Sequence, residues 1–191
     1  DGSALALADN SNLARRARQL VGDRALEAEL GGSFGDEDRS GPVDPAKPAN
    51  PADPADPAPA VPMTDPDQAA AFVEATGVDS LAVAIGNAHG LYRGEPCLDL
   101  ARLDAIAARV TVPLVLHGGT GLSDAQLRAT IARGVRKINV NTELRRAFFE
   151  QLGTGLNRPD HGYDLPALLQ PAVDAMFQVV RTMIRTFRLE P

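Results

Sequence analysis

The chain has a single cysteine, Cys97, in 191 residues. That excludes an internal disulfide and fits a reducing, cytoplasmic setting. Cys97 reads as an ordinary residue on the approach to a helix, ahead of any role as a catalytic thiol. There is no apolar run of about eighteen residues, so no membrane-spanning helix is expected. Excess positive charge is also missing: 19 Lys and Arg against 25 Asp and Glu give a net charge of −6. This argues against a nucleic-acid surface. An anionic substrate stays open, because backbone amide nests bind phosphate whatever the net charge. The opening Asp1-Gly2-Ser3 carries neither an initiator methionine nor a basic-then-apolar signal region. The expectation is that something lies upstream.

What is present suffices for a core, since 44% of the chain is hydrophobic, and one domain is the natural expectation. Strand and helix patterns alternate. Asn10 or Ser11 is placed to cap a helix running to about Val21, with Gly22 stopping it. Positions 24–30 (RALEAEL) read as a strand alternating in part. Asp65 caps the next helix, with Pro66 at its first position and Gly77 past its end. Positions 80–85 (SLAVAI) form an apolar run typical of a strand buried on both faces. Leu103, Ile106, Ala107 and Val110 follow at helical spacing, then a strand at 113–116. Ser123 and Gln126 form a capping-box pair ahead of a helix ended by Gly134. A last strand is expected at 137–140. Leu169, Val173, Phe177, Val180, Ile184 and Phe187 make one helical stripe, read as a packed surface helix.

Such alternation implies a parallel sheet with helices outside it, either an open doubly wound sheet or a (β/α)₈ barrel. Four strands make half a barrel, since a whole one takes about 250 residues. The two open edges then left are a hazard, which hints at a missing partner half. One stretch fits no packed fold: nine of the fifteen prolines lie from Pro42 to Pro66, and Asp-Pro-Ala recurs at 44–46, 53–55 and 56–58. It reads as a solvated, polyproline-type loop insertion at about 41–63. A docking site for a proline-recognising partner is the alternative.

Two of the three histidines, His89 and His117, fall just past strand carboxyl ends, where parallel α/β folds build their sites. Imidazoles on neighbouring strands can share one metal ion; the plainer reading is two structural histidines bonded to loop backbone. His161 sits in a polar loop and reads as a bystander. The turn Gly118-Gly119-Thr120-Gly121 leads into the Ser123 helix, and its amides with the helix's positive end suit a phosphate oxygen. The run Asn139-Val140-Asn141-Thr142 adds donors at the end of the last strand. Glu27, Glu29, Asp36, Glu37 and Asp38 gather after the first strand. They are either a solvated charged loop or a mobile general base.

Together, Asp1-Gly2-Ser3, the 27–31 segment (EAELG), the 76–86 segment (TGVDSLAVAIG), the two histidine segments and Lys137-Ile138-Asn139-Val140 resemble class II fructose- and tagatose-bisphosphate aldolases, in that order. The spacings His89 to His117 (117 − 89 = 28) and His117 to Asn139 (139 − 117 = 22) are similar to the tagatose-type branch. The resemblance covers nearly all of the chain except the proline-rich stretch. It implies a TIM barrel represented here by about strands 5–8, and a Zn²⁺ cofactor with room for a monovalent cation in addition. It assigns His89 and His117 as metal ligands, Glu29 as a further metal-site carboxylate, and Glu37 as the catalytic loop acid. Gly90, Gly118, Gly119, Thr120, Asn139, Val140, Asn141 and Thr142 become the substrate-binding set. The family's Leu-Asp-His segment, with its third histidine, does not occur here. Phe34 stands where the family prefers a glycine, and glycine alone takes positive φ cheaply. The implied reaction is reversible, metal-assisted aldol cleavage of fructose or tagatose 1,6-bisphosphate by a cytoplasmic dimer or tetramer, with the fragment alone inactive. Two other readings are a metal-free phosphate-binding barrel isomerase and a non-catalytic aldolase-like subunit or degenerate homologue.

Overall fold

The computed structural model describes residues 2–32, 62–89, 96–158 and 164–188. Expectations for Phe34, Glu37, Gly90, His161 and all but the last two positions of the 41–63 insertion lie outside the described residues. The elements run α1 (Leu7–Val21), β1 (Glu27–Leu30), α2 (Pro66–Thr76), β2 (Ser80–Val83), α3 (Leu100–Ala107), β3 (Leu114–Leu116), α4 (Asp124–Ala132), β4 (Val135–Ile138), α5 (Thr142–Leu156) and α6 (Leu165–Phe187). The four strands form one sheet in the order β1-β2-β3-β4, and every pairing is parallel. Neighbours in space are neighbours in sequence, without the order reversal of a doubly wound sheet.

Local signals place several boundaries. The Asp65 carboxylate accepts from Asp67 N at 3.0 Å and Gln68 N at 2.9 Å, and Gly77 closes α2 in the left-handed region at φ 63°. At α4 the Ser123–Gln126 capping box is formed from both sides. Elsewhere tertiary structure overrides the local reading. Helix α1 starts at Leu7, not after an Asn10 or Ser11 cap. Asn10 is buried and its Nδ2 donates to Glu29 O at 2.9 Å, tying α1 to β1. Strand β1 begins only at Glu27, because the chain before it wraps a guanidinium: Arg18 Nη1 donates to Gly22 O at 3.0 Å and Arg24 O at 2.9 Å. Strand β4 ends at Ile138, with a register irregularity at Leu114/Val115 opposite it. Asn139–Asn141 therefore form a loop, and Thr142 opens α5, a helix the sequence reading did not include.

The register sorts side chains by face. Leu30, Leu81, Val83, Leu114 and Leu116 pack with Phe72, Leu103, Ile106 and Leu127 from the helices. The other face carries Glu27 and Glu29, their partners Ser80 and Ala82, and then Val115 and Lys137. Across that face Lys137 Nζ meets both Glu27 carboxylate oxygens, at 2.8 and 2.9 Å. In a flat sheet β1 and β4, three spacings apart, lie about 14 Å from each other. Two side chains from the same face meet head-on over that span only when the sheet curls toward them. The polar face is concave.

The stripe expected to pack along the last helix is corrected in part. Phe187 and Met183 lie against the core, but Val173, Phe177, Val180 and Ile184 are 50%, 60%, 41% and 45% exposed. Helical periodicity identifies an apolar face; it does not show what covers that face.

Candidate active site

Three loops leave the carboxyl ends of β2, β3 and β4 and meet, for reasons visible in the sequence. Asn87 is buried; its Oδ1 accepts from Ile85 N at 2.8 Å and its Nδ2 donates to His117 O at 3.1 Å. This one side chain fastens the loop after β2 to the loop after β3. Gly118 has φ 63°, and a Cβ there would stand 2.1 Å from Ala88 O. Only glycine allows so close a backbone approach. Gly119 N donates to Asn139 O at 3.0 Å, while Asn139 N donates to Leu116 O at 3.0 Å, locking the third loop to the second.

The result brings His89 and His117 together. Their ring centres are 5.8 Å apart with the planes tilted by 34°, and both residues are half-buried. A zinc ion sits about 2.1 Å from a ring nitrogen, so two imidazoles sharing one tetrahedral ion have centres about 5 Å apart. The pair fits two positions of a metal centre. Among the described residues no group of three His, Cys, Asp or Glu side chains is arranged to hold a metal ion.

His117 is flanked by carboxylates on both sides: Nδ1 lies 3.1 Å from Glu29 Oε2 and Nε2 lies 3.3 Å from Glu27 Oε1. Glu27 and Glu29 do not follow the first strand as a solvated cluster. They are in it, two apart on the concave face, and Glu29 is buried. The hydrogen bond with Glu29 raises the His117 pKa above its ordinary 6.5, against the desolvation that opposes it, with the Glu29 and Glu27 charges adding to the rise. For Glu27 partial burial is the largest influence and pushes its pKa up. The hydrogen bonds and charges of Lys137 and His117 together outweigh it and hold the carboxyl below its ordinary 4.5.

The glycine-rich turn is less open than its composition suggests. Gly119 N is engaged by Asn139 O, and Gly121 N donates to Glu143 Oε1 at 3.1 Å. At the α4 start, Ser123 N donates to Gln126 Oε1 at 2.9 Å and Gln126 N to Ser123 Oγ at 3.3 Å. Thr120, in the same turn, is buried. Beside it Asn141 and Thr142 begin α5, whose N-cap makes no side-chain capping bond. Gly118, Gly119, Thr120, Asn139, Val140, Asn141 and Thr142 are thus grouped at one end of the sheet beside the histidine pair. Asn87 and Glu143 belong to the same neighbourhood and were not singled out from sequence, while Glu27 was named only within an acidic cluster and Lys137 only within a strand motif. For the glutamates of β1 the signal was there: two acids spaced by two within a strand share a face.

The family described as fructose-bisphosphate aldolase class-II matches residues 1–190. Among solved structures, the YdjI aldolase from Escherichia coli K12 is 34% identical, with a TM-score of 0.76, over 98% of this chain and 59% of that one. Fructose-bisphosphate aldolase (Fba) from Campylobacter jejuni is 22% identical, with a TM-score of 0.70, over 97% of this chain and 58% of that one, and bears on the fold alone. The chain spans about three-fifths of the length of these structures.

Proposed function

The chain belongs to the class II fructose-bisphosphate aldolase family, and from that premise we propose that it supplies the second half, about strands 5–8, of a TIM-barrel ketose-bisphosphate aldolase. The observation that carries the reading is the convergence of His89 and His117 at the carboxyl ends of adjacent parallel strands. The curl of the sheet and its unreversed strand order support the barrel.

In this reading His89 and His117 hold a divalent cation, zinc by family, with Glu29 beside them and a third ligand from outside the chain. A cation bound there supplies Lewis acidity that polarises the substrate's ketose carbonyl. The chain's own residues do the rest. Gly90, Gly118, Gly119, Thr120, Val140, Asn141 and Thr142 seat the phosphate and three-carbon end of fructose or tagatose 1,6-bisphosphate. The positive end of α5 adds to that seat. Asn139 orients the substrate hydroxyls, its backbone being fixed on both sides. Glu37 moves the proton at the carbon that becomes nucleophilic when the C3–C4 bond breaks. The products are dihydroxyacetone phosphate and glyceraldehyde 3-phosphate. A dimer or tetramer in the cytoplasm is the proposed setting; among the described residues no helix is long and apolar enough to cross a membrane.

One observation favours a second reading, a degenerate, non-catalytic homologue. The Glu143 carboxylate occupies the Gly121 amide, placing negative charge where a phosphate would sit. Zinc uptake and fructose 1,6-bisphosphate cleavage by the 191-residue chain test the proposal together. Zinc bound through both histidines, without cleavage, is expected of half a site. Cleavage by the chain alone would overturn the half-site account, and absence of zinc uptake would overturn the lyase account.

A further inference from the structure

Each peptide flanking His117 is pinned to a different neighbour. On one side Leu116 O accepts from Asn139 N at 3.0 Å, and on the other His117 O accepts from Asn87 Nδ2 at 3.1 Å. A residue with one flanking peptide fixed still swivels about its own φ and ψ. With both fixed, the direction of its Cα–Cβ bond is set. Asn87 stands two residues before His89, so its bond ties the approach to one histidine to the backbone of the other. Asn87 is itself held: its Oδ1 accepts from Ile85 N at 2.8 Å, and Ile85 O accepts from Asp99 N at 2.8 Å. An amide serves both ends at once, since Ile85 N needs an acceptor and His117 O a donor; the carboxylate of the same shape lacks the second. Asn87 is buried, so water does not readily replace a bond lost there.

We infer that Asn87 is a positioning residue for the histidine pair: its bond to His117 O holds the two rings at the separation and tilt, 5.8 Å and 34°, that one shared cation needs. This rests on the metal-site reading above. Thr64 supplies the contrast. Its Oγ1 accepts from Ala84 N at 2.8 Å and donates to Leu30 O, fixing the same loop where it leaves β2. Thr64 is as deeply buried as Asn87, yet its side-chain bonds end at Leu30 and Ala84 and reach neither histidine. One loop thus carries an anchor that serves the fold and a second that also aims a ligand. Outer partners that orient metal ligands are worth about ten- to hundred-fold in metal affinity.

The test compares Asn87→Asp with Thr64→Val in the full 191-residue chain, both changes keeping side-chain shape. Asn87→Asp retains the acceptor for Ile85 N and sets a second acceptor against His117 O, whereas Thr64→Val removes both Oγ1 bonds. The first arm uses metal-free protein and the NMR contact between the His89 and His117 ring protons. It is expected in the wild type and in Thr64→Val and lost in Asn87→Asp. A wild type without the contact, or an Asn87→Asp that keeps it, overturns the inference whatever the metal does. The second arm is Co²⁺ affinity followed by its visible absorption. Asn87→Asp is expected to weaken it about ten- to hundred-fold and to shift the bands, while Thr64→Val stays within about twofold of wild type however much stability it loses in urea. An Asn87→Asp affinity within about twofold of wild type, or affinity lost by both variants in step with stability, contradicts the inference. A wild type that takes up no Co²⁺ instead sinks the metal-site reading itself, and the ring contact still judges Asn87. Asn87→Ser, uncharged and too short to reach His117 O, is read in the same way should Asn87→Asp not fold. Rapid solvent exchange of the wild-type Asn87 side-chain amide overturns the inference without any variant.

Discussion

The substitution Gly118→Ala separates two costs that usually come together. Gly77 and Gly118 share the same backbone angle, φ 63°. A Cβ at Gly77 meets nothing within 4 Å, whereas at Gly118 it would lie 2.1 Å from Ala88 O and 2.6 Å from Ala88 C. Gly77→Ala therefore incurs only the left-handed backbone penalty, about 1 kcal/mol. Gly118→Ala incurs that plus a clash with main chain that cannot rotate away, about 1–3 kcal/mol more by analogy with overpacked sites. The expected losses are about 1 and about 2–4 kcal/mol. At about 3 °C per kcal/mol for a chain of this size, thermal midpoints fall by about 3 °C and about 6–12 °C. Urea denaturation of the three proteins gives the comparison directly. The relief open to Gly118→Ala is to part the loops after β2 and β3, so it should also lose Co²⁺ affinity while Gly77→Ala keeps it. Equal destabilisation by the two variants would refute the close approach that brings the histidines together.

Two further predictions follow from the same geometry. Because the folded-state pKa of His117 is raised above 6.5, its protonation adds stability that is complete below the unfolded value. That increment fades as pH rises through the folded one. In metal-free protein the stability difference between wild type and His117→Asn should shrink from about pH 6 upward; a difference that grows with pH contradicts the two-carboxylate environment. Phe177→Ser on the exposed stripe of α6 should change stability by less than about 0.5 kcal/mol, and a loss above about 1.5 kcal/mol in urea melts would mean that the face is covered.

Local chemistry made part of this structure legible in the sequence. The Asp65 cap, Pro66, Gly77 and the Ser123–Gln126 box are decided within four or five residues, and they fall where the sequence puts them. His89 and His117 were found because strand ends can be read from apolar runs. What escaped depends on distance along the chain. Lys137 and Glu27 are 110 positions apart and meet only because the sheet curls. Asn10 looked like a cap and is instead a buried tie to β1. Helix α5 carries Gly153 and Gly155 in its last turns and no capping side chain, so its pattern argues against a helix. Packing explains its survival, since a Cβ at Gly155 would press on Leu168 Cδ1 at 2.7 Å.

The central claim is that two imidazoles from adjacent parallel strands share one divalent cation. Titrating the chain and its His89→Ala and His117→Ala variants with Co²⁺, and reading the visible bands of the bound ion, tests it most directly. One saturable site in the wild type, lost in each single variant, is the predicted result; binding that survives either substitution unchanged, or none in the wild type, would contradict it.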